Sequence, residues 1–166
     1  MRYLKGKEKK EAKEYLFLCA EYARMSPCLK SQRGVVIVLN REVLGKGCNA
    51  PPFGENPCTY CLREKAKELK IQSHTEPCRA VHAEQKAIIN AYSTKYTSLE
   101  GAVMYHVKVK NGLAVPSGRP SCTICSKLVV EVGIKEFVLW HEDGVAAYNA
   151  HEFNDLSLES VLKGEK

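Results

Sequence analysis

The chain has 166 residues, of which 45% are hydrophobic and 27% charged, and its mean hydropathy is −0.29. That is enough apolar material for a real core in one domain of ordinary size, and too much for a disordered chain. Lys and Arg number 25 against 19 Asp and Glu, a net charge of +6 that attracts phosphate without separating a nucleotide from a nucleic-acid strand. The longest apolar run, Val35 to Leu39, is far too short to cross a bilayer. The start, Met1 to Lys7, has no apolar core behind its charges. Neither a membrane nor a secretory role is expected, and the expected location is cytoplasmic. The eight cysteines then point to metal or redox chemistry rather than a disulfide framework.

In chain order, residues 8 to 25 read as a helix, with Ala12, Tyr15, Cys19, Tyr22 and Ala23 at helical spacing and Pro27 just beyond its end. Val35 to Leu39 reads as a strand buried on both faces. Asn40-Arg41-Glu42 turns the chain into a second strand, Val43 to Cys48. Asn49 to Gly54 breaks regular structure, and residues 55 to 80 hold charge, cysteines and a short helix from Leu62 to Lys70. A helix is expected over Val81 to Tyr92, with Ala87, Ile88 and Ala91 as its buried stripe. A strand follows at Gly101 to Val109, then a Gly/Pro/Ser loop at Asn111 to Arg119. Cys122 to Val132 reads as a helix ended by Gly133, Lys135 to Trp140 as a strand, and Asp155 to Leu162 as a closing helix. A β-hairpin followed by α-β-α-β order implies a central sheet with helices on both faces. One domain spanning 1–166 is expected, with a metal-binding insertion at about 50–80.

His82-Ala83-Glu84 and Cys122-Thr123-Ile124-Cys125 each open a helix that follows the sheet elements. Zinc prefers nitrogen and thiolate donors, and a catalytic zinc keeps three protein ligands and one position for water. A C-x-x-C at a helix start puts both thiols on one face, where the positive helix end favours the thiolate form. His82, Cys122 and Cys125 are the candidate ligands of a catalytic Zn2+. Glu84, two residues from His82, can stay off the metal and act as general acid/base. Either motif alone is common; together they match the H-x-E and P-C-x-x-C pattern of hydrolytic zinc deaminases.

On these residues the chain resembles the cytidine deaminase superfamily, and within it the deoxycytidylate (dCMP) deaminase branch. The resemblance covers most of residues 8 to 142 and is densest at Cys78-Arg79-Ala80-Val81-His82-Ala83-Glu84-Gln85-Lys86-Ala87-Ile88. Ser26-Pro27-Cys28-Leu29-Lys30 with Gly34 to Val38, and Gly47-Cys48-Asn49-Ala50-Pro51, extend it. It implies an α/β fold, a three-layer α/β/α sandwich around a central mixed five-stranded sheet. It also implies substrate contacts from Asn49, which takes the sugar 3′-hydroxyl, and from Ala83, Ser121 and Lys30. The chain departs from the family where Ser121 separates Pro120 from Cys122, where Lys30 stands in place of an arginine, and in a longer loop at Lys110 to Arg119.

Cys58-Thr59-Tyr60-Cys61 followed by His74 and Cys78 gives C-x2-C and H-x3-C, the spacing of a closed structural zinc site. The alternatives are free thiols in a polar loop, or Cys48 as fourth ligand in place of His74. The expected function is zinc-dependent deamination of a cytosine mononucleotide, dCMP to dUMP plus ammonia, in a homo-oligomer. Two other readings remain open at this point. One is a deaminase acting on a base within RNA or single-stranded DNA, which the net charge and the 110–119 loop favour. The other is a non-catalytic zinc-stabilised interaction module, which gives Glu84 nothing to do.

Overall fold

The computed structural model describes residues 1–70 and 77–163. A two-residue strand, β1 (Arg2–Tyr3), precedes helix α1 (Gly6–Arg24), which buries Ala12, Leu16, Cys19, Ala20 and Ala23 along one stripe. Strands β2 (Gln32–Leu39) and β3 (Glu42–Cys48) form the expected hairpin. Its turn residues Asn40 and Arg41 both take left-handed backbone, with φ of 49° and 66°, the conformation that matches the twist of the flanking strands. The short helix α2 (Leu62–Glu68) is followed by α3 (Ala83–Ser93), which buries Ala83, Ala87, Ile88 and Ala91. Next come β4 (Val103–Lys110), β5 (Leu113–Val115), α4 (Thr123–Glu131), β6 (Glu136–His141), β7 (Gly144–Asn149) and α5 (Ala150–Leu162). No described helix is long and apolar enough to cross a membrane.

Among the described residues the sheet has seven strands in the order β1-β7-β6-β4-β2-β3, with β5 paired to β4 beyond the end of β6. β4 and β6 run parallel with α4 as their crossover, and every other pairing is antiparallel. The mixed sheet is as expected, but it has seven strands and not five. Period-two alternation sorts the strand side chains into two cores. Val36, Val38, Tyr105, Val107, Val138 and Val145 pack against α1. Val35, Ile37, Met104, Phe137 and Tyr148 pack against α3, α4 and α5 on the opposite face. Phe137 stacks on Phe153 of α5 with ring centroids 4.0 Å apart, anchoring the last helix. The result is a three-layer α/β/α arrangement.

Three strands were not expected from sequence. β5 lies inside Asn111 to Arg119, read as a loop, because Asn111 and Gly112 (φ 52° and 76°) form a tight hairpin turn rather than a loop start. β7 is rich in alanine, a weak strand former, and is decided by its ladder with β6. β1 is too short to carry any pattern and is held by pairing with β7. The closing helix accordingly starts at Ala150, capped by Asn149, and not at Asp155.

One close approach positions everything that follows. A Cβ placed on Gly47 would lie 2.6 Å from the Ala83 carbonyl oxygen and 2.6 Å from the Ala87 nitrogen, and one on Gly45 would lie 2.3 Å from the Ala87 oxygen. The backbone of α3 therefore rests directly on β3, with alanines on the helix and glycines on the strand.

Gly47→Ala is expected to push α3 off the sheet. Overpacking of this kind costs about 1–3 kcal/mol or somewhat more, read as a fall in the midpoint of urea unfolding. A second expectation concerns His106 of β4, which is buried, with Nδ1 3.3 Å from Ser117 Oγ. Burial pushes its imidazole down to about 4 from an ordinary 6.5. The unfolded chain then takes up the proton first as pH falls, so this residue removes stability progressively between about 6.5 and about 4. The slope is about 1.4 kcal/mol per pH unit inside that window. His106→Gln is expected to flatten the loss of stability between neutral pH and about pH 4.5; an unchanged acid slope would show that the imidazole titrates normally.

Candidate active site

His82 is the N-cap residue of α3 and Cys122 that of α4, while Cys125 lies in the first turn of α4. The i, i+3 spacing brings the two cysteines to one face. His82 Nδ1 is 3.2 Å from Cys125 Sγ and 3.4 Å from Cys122 Sγ. Two donors on one tetrahedral zinc stand roughly 3.5 Å apart, given the usual Zn–S and Zn–N bond lengths. Among the described residues, these three are the one group of His, Cys, Asp or Glu whose ligand atoms lie within 4.8 Å of one another. His82 is oriented by its own helix start, where its backbone N–H donates to Gln85 Oε1 at 3.0 Å.

Electrostatics fit a cation at this point. The Cys122 thiol is pushed well down, chiefly by its hydrogen bond from Cys125 and further by His82. Cys125 is pushed up by that same bond, by burial and by the nearby Glu84. The two sulfurs thus share one proton, which a metal would displace, since thiolate is the ligating form. The donor set, its spacing and its acidity fit zinc.

Glu84 is half-buried, raises the Cys125 thiol electrostatically, and is not among the three gathered metal donors. Ala83 is buried at the first turn of α3, where backbone N–H groups have no partner within the helix. Ser121 is half-buried directly before Cys122. Asn49 lies just past β3 and locks two segments together. Its Oδ1 accepts from Ser26 Oγ and from the Arg33 backbone N–H, both at 2.8 Å, and its Nδ2 donates to the Ser31 carbonyl at 2.9 Å. Among the described residues one Nδ2–H is left over from that network. Lys30 is at the surface and pairs with Glu64 of α2 at 3.6 Å.

Cys58, Cys61 and Cys78 line one small cavity, and Cys28, which motif spacing left aside, lines it with them. Cys48 does not line it, and His74 lies outside the described residues. None of the eight cysteines is in a disulfide.

Three further groups that motif reading passed over are linked to the site. His106 and Arg33 both feel the charge of Glu84, and Ser117 connects them: its carbonyl accepts from Arg33 Nη1 at 3.3 Å and its hydroxyl lies 3.3 Å from His106 Nδ1. The signal available in the sequence was alternation, because Arg33, Val35 and Ile37 share one side of β2, as Met104, His106 and Lys108 share one side of β4.

Residues 8–141 match the family described as the cytidine and deoxycytidylate deaminase zinc-binding region. The deoxycytidylate deaminase of Mycobacterium phage D29 is 30% identical over 128 residues, covering 75% of this chain and 89% of the phage protein. That of Schizosaccharomyces pombe is 28% identical over 123 residues, covering 70% of this chain and 32% of the yeast protein's length. The dCMP deaminase of cyanophage S-TIM5, solved with dCMP and dUMP, superposes with a TM-score of 0.55 at 23% identity, covering 81% of this chain and 82% of the phage chain. The cytidine deaminase of Burkholderia pseudomallei gives a TM-score of 0.56 at 18% identity, covering 85% and 94% of the two chains. These two structures share the fold. With a zinc-binding region matched over 8–141 and a His-Cys-Cys group gathered at its centre, the chain belongs to the cytidine and deoxycytidylate deaminase family.

Proposed function

We propose that the protein hydrolyses the 4-amino group of dCMP, consuming one water and releasing dUMP and ammonia. The observation that carries this reading is the convergence of three metal donors, His82, Cys122 and Cys125, at the start of α3, with the half-buried Glu84 two residues beyond His82 and within electrostatic reach of Cys125. A purely structural metal site has no use for such a group. The likeness to the D29 deoxycytidylate deaminase supports the choice of nucleotide.

His82, Cys122 and Cys125 would hold the zinc, which supplies when bound the Lewis acidity that lets water attack C4 at neutral pH. Glu84 takes the proton of that water and delivers it to N3 of the base, and a second transfer protonates the departing amino group. The Asn49 network fixes the segment from Ser26 to Arg33 against the end of β3, so that wall of the pocket is set before substrate arrives.

A second, structural zinc belongs to the same reading. Cys28, Cys58, Cys61 and Cys78 line one cavity, although no three of their sulfurs lie within 4.8 Å of one another as the catalytic donors do, and thiolates are the donors such sites use. A metal there would tie α2 and the 77–82 segment to the loop that follows α1, stabilising the approach to the catalytic ligands.

Zinc-loaded protein is expected to release ammonia from dCMP and not from a deoxycytidine oligonucleotide; release from the oligonucleotide alone would replace this reading with polynucleotide deamination. Glu84→Gln is expected to retain fold and metal while losing about 10²–10⁴-fold or more in turnover. Turnover within about tenfold of the parent would remove Glu84 from the chemistry. Metal analysis is expected to give two zinc ions per chain and one in Cys61→Ser, whose melting temperature should also fall. One zinc in the parent protein rules out the structural site.

A further inference from the structure

The chain reaches Cys122 by a detour. β4 turns at Asn111 and Gly112 and returns as β5 to Val115, which leaves residues 116 to 121 to bring Cys122 Sγ to 3.4 Å from His82 Nδ1. Gly118, at φ 82°, has open space where a Cβ would stand, so no neighbouring group packs against it there. Among the described residues no hydrogen bond holds residues 118 to 121.

Ser117 is the exception in this stretch, and its contacts go to three strands. Its N–H donates to the Trp140 carbonyl of β6 at 2.8 Å, and its own carbonyl accepts from Arg33 Nη1 of β2 at 3.3 Å. Its hydroxyl meets His106 of β4 twice, at 3.3 Å from the carbonyl oxygen and 3.3 Å from Nδ1. One proton assignment satisfies both contacts: the hydroxyl donates to the carbonyl and accepts from Nδ1–H. These partners are themselves fixed. His106 is buried, in register with Val35 on one side and Leu139 on the other. Arg33 is tied through its backbone to Asn49, whose N–H donates to the Arg33 carbonyl at 3.3 Å and whose Oδ1 accepts the Arg33 N–H at 2.8 Å.

Ser117 is therefore the last point fastened to the sheet before the first cysteine ligand. A ligand binds metal more tightly when its chain has less freedom to give up, and that freedom grows with the length of the unheld segment. With Ser117 held, the unheld segment is 118 to 121; with Ser117 released, it runs back to Val115. We propose that Ser117 is a positioning residue for the metal site, its hydroxyl bonds to His106 keeping Cys122 in place beside His82 and Cys125. This rests on the reading of those three residues as metal ligands. The longer excursion between β4 and the cysteines is then accommodated by one residue that returns the chain to the sheet.

The test is titration of the metal-free full chain with Co2+, which occupies imidazole and thiolate sites in place of zinc and absorbs visible light there. The part of the thiolate–Co2+ absorption that Cys122→Ser removes reports this site apart from any ion bound at Cys58, Cys61 and Cys78. Ser117→Ala deletes the hydroxyl bonds and keeps both backbone bonds. It is expected to raise the Co2+ dissociation constant of that component about tenfold, the lower end for groups that orient a metal ligand without touching the metal, and to alter its band shape. Val145→Ala, in the core against α1 on the opposite face of the sheet, controls for lost stability. It is expected to lower the melting temperature while leaving affinity and band unchanged. An affinity kept within about twofold in Ser117→Ala, with a superimposable band, overturns the proposal and leaves the metal ligands standing. An equal loss of affinity in Val145→Ala also overturns it, because metal binding then only follows overall stability. A spectrum that Cys122→Ser leaves unchanged sinks the metal reading, and the proposal with it.

Discussion

The structure depends on backbone lying directly on backbone where α3 crosses β3. Gly45 and Gly47 offer no Cβ, and Ala83, Ala87 and Ala91 offer only small ones, so helix and strand approach more closely than ordinary side chains allow. The first residues of α3 are the ones that need this accuracy. His82 must present Nδ1 to two sulfurs on another helix, and Glu84 must reach Cys125 without displacing it as a ligand. A helix floating on leucines could repack by fractions of an ångström; one seated on glycine cannot.

The second helix start is fixed by different means. α4 is the crossover between the parallel strands β4 and β6, and its buried face is Cys125, Ser126 and Val129. Ser126 donates to Asn154 Oδ1 of α5 at 2.8 Å, and Phe153 stacks on Phe137 of β6, so α5 braces α4 from behind. The metal donors therefore come from two helices held against one sheet by separate contacts. Their convergence belongs to the sheet geometry and not to either helix alone.

Charge follows the same sheet. On the face under α3 the side chains pass from apolar (Val35, Ile37, Met104) through a neutral, buried His106 to the half-buried cations Arg33 and Lys108. Burial disfavours the charge at each step, on the imidazole as on the guanidinium and the ammonium. Glu84 acts electrostatically on Cys125 among the metal donors and on His106 and Arg33 of the sheet.

Much of this was legible in the chain itself. H-x-E and C-x-x-C at helix starts name the candidate metal donors and the proposed proton carrier, because those roles depend on residue type and on spacing within one helical turn. The stripe Ala87, Ile88, Ala91 and the run Val35 to Leu39 likewise state their own burial through local periodicity. The Asn111-Gly112 hairpin was written there too, but was masked by the loop-forming residues after it. What tertiary structure alone decided is every relation across the sheet: that alanine-rich β7 is a strand, that Cys28 joins Cys58, Cys61 and Cys78 around one cavity, and that Arg33 faces Lys108. Strand register and cavity lining are set by pairings between segments distant in sequence, each individually weak, and only the folded sheet sums them.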